Sequence, residues 1–444
     1  MNILEELEWR GLVADCTDRV ELDKKLGSAI TLYCGFDPSA DSLHVGNLVP
    51  LLALRRFQMA GHHPIAVAGG ATGSIGDPSG KTQERQLLTK EILERNIASL
   101  KTQLARLLDF NTKTNPARLV DNASWTANIG YLDFLRDTGK HFSVNQMIQK
   151  ESVRARMEDR ETGISYTEFS YMLLQAFDFY VLARDCNCEL QIGGSDQWGN
   201  ITAGIDLCRK KLGKQVYGLT LPLITNADGT KFGKTEAGAV WLDPKRTRED
   251  EFYQFWIRTD DRDVIRYLKY FTFLSREEIE PLESQHKRKP EARAAHKALA
   301  QAVTDLVHPP VKSLTGDHPV LPRVIAESVS GILFGKLFQD YTEADYEFLA
   351  THNRSVTMDK SKLQTPGGIL LIELLLLAGL CTSRGQARRD IEGKSIYLGS
   401  NHSGVLRIDH VINPGFRIEE VHFVFGKYLL LRKGKRNYVV VTAK

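Results

Sequence analysis

The chain has 444 residues, of which 42% are hydrophobic and 25% are charged, as in ordinary soluble globular proteins. This length predicts about three domains, and a net charge of only +3 means that a polyanion would be bound by local patches rather than by an overall field. The most apolar run, at 369–380, is too short to span a bilayer and the N-terminus lacks the pattern of a secretory signal, so neither a membrane protein nor a secreted one is predicted.

The cysteines indicate the cellular compartment. There are six, which is few for the length, and they do not resemble a disulfide framework. Cys186 and Cys188 are close together, but no second Cys or His pair stands at a zinc-like spacing, so no metal site is predicted. A reducing, cytoplasmic environment is expected.

Residues 28–240 alternate short apolar runs with helical patterns, which predicts an α/β domain with a parallel sheet covered by helices. Strands are expected at 29–34, 64–68, 190–192 and 221–225, and a helix is expected at 44–56. Ligands bind at the carboxyl ends of the strands in sheets of this kind. The polar clusters described below follow these runs or lie on helices that could pack over them.

The second half of the chain follows a different pattern. Helices are expected at 250–269 and 290–307, and prolines break the pattern between 309 and 322. A small module of helices and strands follows, with helices at 369–380 and 383–391 and strands at 395–398, 422–425 and 438–442.

His44 and Gly46 follow the first predicted strand and open a helix. A helix N-terminus favours anions, His44 can donate a hydrogen bond to a phosphate oxygen, and Gly46 leaves room for a flat base close to the backbone. The alternative is an ordinary histidine at a helix start, and the segment alone favours that alternative.

A glycine-rich loop at 69–82 follows the second predicted strand. It is one residue short of a phosphate-binding loop and carries an acid, Asp77, where the phosphate would lie, so that motif is rejected. Asp77 suits an ammonium ligand, and Lys81 and Arg85, one helical turn apart, could reach a polyphosphate. A tight surface loop is an equally good interpretation of the segment.

Tyr171, Gln175 and Asp178 lie at positions i, i+4 and i+7 of an otherwise apolar helix, so they share one face. Burying such groups without partners costs roughly a few kcal/mol each. An internal polar network or a ligand with hydrogen-bonding groups at both ends would satisfy them. The alignment of three groups favours the ligand.

Two further segments carry polar groups of the same kind. Asp196 follows paired glycines at a strand end, where an acid can accept hydrogen bonds from ribose hydroxyls, and Gln197 can donate to a carboxylate or a phosphate. Lys231 and Lys234 flank a glycine in a loop that could close over a pyrophosphate. A basic hairpin tip on the surface is the alternative for this loop.

Taken together, these residues resemble a known family. Segments 33–47 and 231–235 are similar to the two signatures of class I aminoacyl-tRNA synthetases. The glycine-rich loop, the helix at 165–178 and the segment at 193–199 narrow the resemblance to bacterial tyrosyl-tRNA synthetases. Asn47 departs from the first signature, in which a second histidine is commonest, whereas Phe232 and Gly233 of the lysine loop are typical of the tyrosyl branch.

The resemblance implies an enzyme that activates L-tyrosine with ATP, releases pyrophosphate and transfers tyrosine to the 3′ end of tRNA(Tyr). Tryptophanyl-tRNA synthetase and a non-catalytic RNA-binding relative are the alternatives. Mg²⁺ is expected to accompany ATP, and a homodimer is expected through an insertion near 115–190; neither a membrane nor DNA is an expected partner. The implied domains are a Rossmann-like catalytic domain at 1–240, an α-helical domain at 245–330, a linker at 331–361 and a small α+β RNA-binding domain at 362–444.

The resemblance also implies a role for each matching residue. Tyrosine would be bound by Tyr33 and Asp178 at the phenol, by Asp77, Tyr171 and Gln175 at the ammonium group, and by Gln197 near the carboxylate. ATP would be bound by Gly35, Asp37, His44, Gly46, Asn47, Gly194, Asp196, Lys231 and Lys234. Catalysis would rest on His44, Asn47, Lys81, Arg85, Lys231 and Lys234. RNA phosphates would be contacted by Arg384, Arg388, Arg389, Arg432 and Lys433.

Overall fold

The chain folds into two units. The computed structural model describes residues 2–79, 88–158, 163–230, 232–235, 238–310, 319–364, 367–402, 405–434 and 437–444. The first unit comprises Met1–Thr247 with Phe255–His308, and the second comprises Arg248–Gln254 with Pro309–Lys444.

A six-stranded sheet forms the centre of the first unit. Its strands are β1 (Asp15–Cys16), β2 (Thr31–Phe36), β3 (His63–Ala68), β4 (Arg118–Asp121), β5 (Cys188–Gly194) and β6 (Tyr217–Leu221). The spatial order is β1-β6-β5-β2-β3-β4, and all neighbours are parallel except β1, which runs antiparallel to β6. β3 and β6 are almost wholly buried, as in sheets that helices cover on both faces. The predicted α/β class is confirmed.

Helices make up most of the rest of the first unit. In chain order they are Ile3–Arg10, Arg19–Leu26, Leu48–Met59, Thr72–Ile75, Lys90–Leu107, Ala123–Thr126, Tyr131–Asp137, Val144–Ile148, Glu151–Glu158, Tyr166–Asp185, Trp198–Leu212, Val264–Phe271, Arg276–Arg288 and Ala294–Val307. Single 3-10 turns lie at Val45–Asn47, Gly139–His141, Ser195–Gln197 and Pro290–Ala292. The helix Glu249–Ile257 contributes residues to each unit.

The helix Tyr166–Asp185 carries three of the predicted site residues. It begins at Ser165, whose side chain accepts a hydrogen bond from the Glu168 amide, which is the usual N-cap arrangement. It packs against the helix Trp198–Leu212 at Gly204, where an added β-carbon would lie 3.1 Å from Cβ of Phe179. Because the two helices are this close, polar side chains of one can hydrogen-bond to those of the other.

The second unit is built on a five-stranded sheet. Its strands, in spatial order, are Val405–His410, Ile396–His402, Tyr428–Lys433, Asn437–Ala443 and Ser355–Met358, and a two-stranded sheet joins Ile369–Leu370 to Arg417–Ile418. Its helices are Pro322–Ser330, Glu343–His352, Ser361–Gln364, Leu371–Leu377 and Arg384–Glu392, with shorter turns at Gly331–Gly335, Phe338–Asp340 and Glu420–His422. Two clusters of buried apolar side chains pack against this sheet.

Several predicted elements differ from those observed. The strand expected at 221–225 is wrong, since β6 ends at Leu221, and the strand expected at 422–425 is a 3-10 turn followed by a single bridge at Val424. Two helices take the place of the single helix expected at 250–269. The first ends at Ile257 and the second begins at Val264. Segment 331–361 contains the strand Ser355–Met358, which pairs in parallel with the last strand of the chain. None of the helices formed by the described residues has both the length and the apolarity that a membrane crossing requires.

Candidate functional site

The polar side chains singled out from the sequence gather where the parallel strands end. Asp37 follows β2, Asp77 lies in the loop after β3, and Gln197 follows β5. Asn122 and Trp125, two residues that the sequence did not single out, follow β4. Carboxyl ends of parallel strands meet at one edge of a sheet, which is where ligands bind in this architecture.

Tyr33 places an unsatisfied hydroxyl group inside the protein. The side chain is 1% exposed, its ring packs edge-on against Phe179 with centroids 5.3 Å apart, and its hydroxyl has no hydrogen-bond partner among the described residues. Burial, together with the nearby Asp178 carboxylate, raises the pKa of Tyr33 well above its usual value, so the hydroxyl stays protonated. A buried polar group without a partner costs about 1–3 kcal/mol, which a ligand hydroxyl could offset.

Asp178 is a buried carboxylate held by two donors. Asn122 Nδ2 donates to one of its oxygens at 2.9 Å and Trp125 Nε1 donates to the other at 2.8 Å. Burial raises the pKa of Asp178 to about 7, and these two hydrogen bonds act in the opposite direction. Asp178 therefore titrates near neutral pH and can accept or donate a hydrogen bond there.

A chain of hydrogen bonds connects Asp178 to a second carboxylate. Asn122 Nδ2 also donates to Thr72 Oγ1 at 2.9 Å, and Thr72 Oγ1 donates to Asp37 Oδ1 at 2.7 Å. The other oxygen of Asp37 accepts from the Tyr171 hydroxyl at 2.8 Å. Burial, followed by the charge of Asp37, raises the pKa of Tyr171 well above its usual value, so Tyr171 remains a donor.

A second chain of hydrogen bonds connects the glycine-rich loop to the helices. Gln197 Nε2 donates to Asp77 Oδ2 at 2.6 Å, and Asn200 Nδ2 donates to Gln197 Oε1 at 3.3 Å and to Gln175 Oε1 at 3.0 Å. The other oxygen of Asp77 accepts from the Ser79 amide at 3.0 Å. Asp77 and Gln175, which the family resemblance assigns to the same ligand group, are thus parts of one network.

His44 caps the turn that opens the helix Leu48–Met59. Its Nδ1 atom accepts from the Gly46 amide at 3.0 Å, and the Asn47 side chain accepts from the His44 amide at 3.0 Å. Because Nδ1 is an acceptor, the neutral ring carries its proton on Nε2, which is then the donor nitrogen. A β-carbon on Gly46 would lie 2.8 Å from His44 Cε1, so a side chain there would displace the imidazole.

The lysine loop contacts this same turn. The Val45 amide donates to the Val240 carbonyl at 3.0 Å, and the Val240 amide donates to the Gly233 carbonyl at 3.0 Å. Gly233 has a φ of +77°, and a β-carbon on it would lie 2.6 Å from Val45 Cγ2. The backbone then continues into the two-residue strand Lys234–Thr235, which pairs with Gly238–Ala239.

Phe232 packs the lysine loop against the helix Val264–Phe271. Its ring stacks on Phe271 with centroids 5.2 Å apart and lies 5.1 Å from Tyr267 and 5.8 Å from Trp256. The residue that departs from the commonest lysine signature is therefore an aromatic packing contact. Lys81, Arg85 and Lys231 lie outside the described residues, and of Lys234 only the backbone is described.

Two glycines lie toward the ends of neighbouring parallel strands, Gly194 on β5 and Gly35 on β2. A β-carbon on Gly194 would lie 2.5 Å from Asp196 Oδ1, so glycine allows this carboxylate to fold back over the end of β5. Gly35 on β2 is exposed, with open space where a side chain would be. A ligand can approach the backbone closely at such a position.

The residues predicted to contact RNA lie on the second unit and differ in their surroundings. Arg388 and Arg389 are exposed on the helix Arg384–Glu392, whereas Arg384 pairs with Glu373 at 2.9 Å. Lys433 bonds to Asp390 at 2.6 Å, and the guanidinium group of Arg432 stacks over the Tyr397 ring at 3.6 Å. Arg388 and Arg389 are therefore the members of this set best placed to meet a phosphate.

Comparison with known proteins gives concordant matches along the chain. Residues 24–313 match the family model described as tRNA synthetases class I (W and Y), and residues 355–441 match that of the tyrosine–tRNA ligase SYY-like C-terminal domain. The tyrosine–tRNA ligase of Opitutus terrae is 57% identical over 442 residues, which cover 99% of each chain. That of Bacillus caldotenax is 50% identical over 443 residues, with the same coverage of 99%.

A solved structure gives the same result at lower identity. A C-terminally truncated mitochondrial tyrosyl-tRNA synthetase from Aspergillus nidulans superposes with a TM-score of 0.63 and 32% identity, covering 69% of this chain and 90% of that one.

Proposed function

This chain belongs to the tyrosine–tRNA ligases, a family of class I tRNA synthetases, and we propose which of its residues perform the reaction. The enzyme activates tyrosine with ATP to form tyrosyl-adenylate and pyrophosphate, and then transfers tyrosine to the 3′ end of tRNA(Tyr). Identity over the full length to tyrosine-specific enzymes excludes the tryptophanyl alternative and the non-catalytic one.

Tyr33 and Asp178 are proposed to read the phenol of tyrosine. The observation that carries this assignment is the Tyr33 hydroxyl, which is buried and lacks a hydrogen-bond partner among the described residues. A substrate hydroxyl between Tyr33 and Asp178 would give the Tyr33 hydroxyl a partner and Asp178 a third hydrogen bond, and phenylalanine would provide neither. Tyrosyl-tRNA synthetases are themselves the standard example of this selection.

Asp77, Tyr171 and Gln175 are proposed to bind the substrate ammonium group. Each presents an oxygen that can accept from an ammonium donor, and the hydrogen bonds to Gln197, Asp37 and Asn200 hold these side chains in place. Gln197, bonded to Asp77, is proposed to orient the tyrosine carboxylate. That carboxylate is ionised at neutral pH, so its attack on the α-phosphorus needs no general base.

His44, Asn47 and the lysine loop are proposed to contact the ATP phosphates. The Nε2 proton of His44 can be donated to a phosphate oxygen, and the amides at the start of the turn favour negative charge. Lys81, Arg85, Lys231 and Lys234 are proposed on sequence grounds to stabilise the departing pyrophosphate. Gly35, Asp37, Gly46, Gly194 and Asp196 are proposed to hold the nucleoside, with Asp196 at the ribose.

Catalysis would then rest on positioning and electrostatics. The two networks fix the amino acid, the turn at His44 fixes the phosphates, and cations meet the charge that develops on pyrophosphate. Mg²⁺ is proposed to accompany ATP, held largely by phosphate oxygens.

A homodimer is proposed through the region near 115–190. Tyr131, Leu132 and Tyr166 are 62%, 77% and 62% exposed, and the Tyr131 and Tyr166 hydroxyls are 3.3 Å apart, so several apolar side chains share this surface. Sedimentation equilibrium should give a dimer that Leu132→Asp weakens. A monomeric wild type would contradict the proposal.

The remaining assignments are proposed from the sequence resemblance. The catalytic domain would span 1–240, the helical domain 245–330, the linker 331–361 and the RNA-binding domain 362–444, in a cytoplasmic enzyme. RNA contacts are proposed at Arg384, Arg388, Arg389, Arg432 and Lys433.

Tyr171→Phe tests the proposed ammonium site. It removes the donor to Asp37 and one oxygen that would face the ammonium group, so the KM for tyrosine in ATP–pyrophosphate exchange should rise about tenfold, equivalent to about 1.4 kcal/mol, with the KM for ATP unchanged. Tyr180→Phe, on the same helix, is the matched control and should leave both constants unchanged. An unchanged KM for tyrosine in Tyr171→Phe would remove this residue from the site.

A further inference from the structure

A separate group of metal-ligating side chains lies in the helical part of the first unit. Asp261 lies in the loop before the helix Val264–Phe271, His286 lies near the end of the helix Arg276–Arg288, and His296 lies in the helix Ala294–Val307. One nitrogen of each imidazole and one carboxylate oxygen of Asp261 all lie within 4.8 Å of one another. These three residues are called the Asp–His–His cluster.

Asp261 is the residue that both imidazoles face. His286 Nε2 is 3.0 Å from the Asp261 carbonyl oxygen, and His296 Nε2 is 3.2 Å from Asp261 Oδ1. His296 Nε2 is also 3.1 Å from the carbonyl oxygen of Thr259. In a tetrahedral site with bonds of about 2.0–2.2 Å, adjacent ligand atoms are about 3.3–3.6 Å apart. Of the three distances above, only that from His296 Nε2 to Asp261 Oδ1, 3.2 Å, joins two side-chain ligand atoms, and it is close to this spacing.

The Nε2 atoms of His286 and His296 lie at hydrogen-bond distance from backbone carbonyl oxygens, so each neutral ring carries its proton on Nε2. The Nδ1 atoms of His286 and His296 are buried and have no hydrogen-bond partner among the described residues. Because no donor holds Nδ1 in its unprotonated form, the ring proton can move from Nε2 to Nδ1 and leave the Nε2 lone pair for a cation. The cation then takes the place of that proton between Nε2 and the facing oxygens.

The cluster is buried at His296 and open to solvent at Asp261. His296 is fully buried, His286 is half-buried, and the Asp261 side chain is 58% exposed. An ion can therefore enter past Asp261, and water can complete its coordination there. One ligand is thus buried and another is exposed, which allows an ion to bind and to leave.

We propose that the Asp–His–His cluster binds a divalent transition-metal ion of the Zn²⁺ type through the Nε2 atoms of His286 and His296 and the carboxylate of Asp261. Imidazole nitrogens favour Zn²⁺ and the neighbouring transition metals over Mg²⁺ and Ca²⁺, which prefer sites made of oxygen alone. Since the ligands come from one loop and two helices, the ion joins three segments of the helical region. It takes no part in tyrosine activation.

Co²⁺ is a suitable probe, because its visible absorption reports its coordination. The full-length protein, stripped of metal with a chelator, is titrated with CoCl₂ and then with ZnCl₂. One Co²⁺ per chain should bind with the visible bands of a low-coordinate nitrogen and oxygen site, and Zn²⁺ should abolish those bands. His286→Ala and Asp261→Asn, both at side chains that are not buried, should weaken binding at least tenfold.

His352→Ala is the matched control, since His352 is half-buried like His286 and lies outside the cluster. This variant should bind Co²⁺ like the wild type. Equal binding by His286→Ala and the wild type would place the metal elsewhere, for example on cysteines, and would overturn the proposal. So would the absence of stoichiometric binding by the wild type. Tyrosine-dependent pyrophosphate exchange should be the same in all these proteins without added metal beyond Mg²⁺.

Discussion

Gly233 of the lysine loop lies directly against Val45 of the turn that His44 caps. A β-carbon on Gly233 would be 2.6 Å from Val45 Cγ2, and the φ of +77° at Gly233 is one that other residues rarely adopt. The lysine loop and the turn at His44 are far apart in the sequence. They are also linked through Val240, whose backbone hydrogen-bonds to both Val45 and Gly233. The position of the loop backbone at Gly233 relative to the turn at His44 depends on these contacts.

Gly233→Ala should therefore impair pyrophosphate release rather than tyrosine binding. The added methyl group pushes the loop from Val45, and a displacement of about 1 Å in a catalytic group can cost about a hundredfold in rate. We expect the kcat of ATP–pyrophosphate exchange to fall at least tenfold, with the dissociation constant for tyrosine unchanged in calorimetry. Gly229→Ala is the control, because Gly229 has a φ of +81° but open space around it. Equal losses in the two variants would mean that backbone strain, not the contact with Val45, limits the rate.

Asp178 should make the stability of the ligand-free enzyme depend on pH. Burial raises the pKa of this carboxyl to about 7 in the folded state, so between about pH 4 and pH 7 the folded state binds more protons than the unfolded state. The contribution of Asp178 to the stability of the folded state is fully present below its pKa in the unfolded state. It is lost as pH rises through its pKa in the folded state. Asp178→Asn removes this pH dependence, so the variant should gain stability relative to the wild type as pH rises. One pKa unit corresponds to about 1.4 kcal/mol, so the gain should be at most about 4 kcal/mol.

Urea denaturation midpoints across this pH range measure the effect. Asp133→Asn, at an exposed carboxylate, should follow the wild-type curve. If Asp178→Asn and wild type gave parallel curves, Asp178 would not be a buried titrating group.

Arg388 and Arg389 should contribute to tRNA affinity through phosphate contacts. Both are exposed on the helix Arg384–Glu392. Replacing both by Ala should weaken tRNA binding and reduce the slope of log K against log salt by about 2, or about 1 per lost phosphate contact. Tyrosine-dependent exchange without tRNA should not change.

Arg95→Ala is the matched control for this experiment. Arg95 is equally exposed but lies on the helix Lys90–Leu107 of the first unit. An unchanged salt slope in the Arg388 and Arg389 double variant would exclude the helix Arg384–Glu392 from the RNA contact.

Much of the site could be predicted because its residues stand in segments with strong local patterns. Tyr171, Gln175 and Asp178 share a face of one otherwise apolar helix, and Asp77 and Asp196 follow glycines that come after predicted strands. Their hydrogen-bond partners could not be predicted in the same way. The Tyr171 hydroxyl meets Asp37, which lies 134 residues away, and only the packing of the helix over β2 brings the two together.

Asn122 and Trp125 were missed because β4 gives almost no sequence signal. It has four residues at the edge of the sheet, with one side chain exposed and three half-buried, so neither alternation nor an apolar run marks it. Asp261, His286 and His296 have no motif spacing either, since a loop and two helices bring them together. The strand predicted at 221–225 was wrong because the buried strand is Tyr217–Leu221, so the prediction lay too far along the chain.

Recognition of the substrate phenol by Tyr33 and Asp178 can be measured in the enzyme. The direct test is the ratio of kcat/KM for tyrosine over phenylalanine in ATP–pyrophosphate exchange. We expect Tyr33→Phe and Asp178→Asn each to lower this ratio, whereas Tyr217→Phe, at a buried tyrosine on β6, should leave it unchanged. A ratio that stays at the wild-type value in the first two variants, while exchange persists, would contradict the assignment of the pocket.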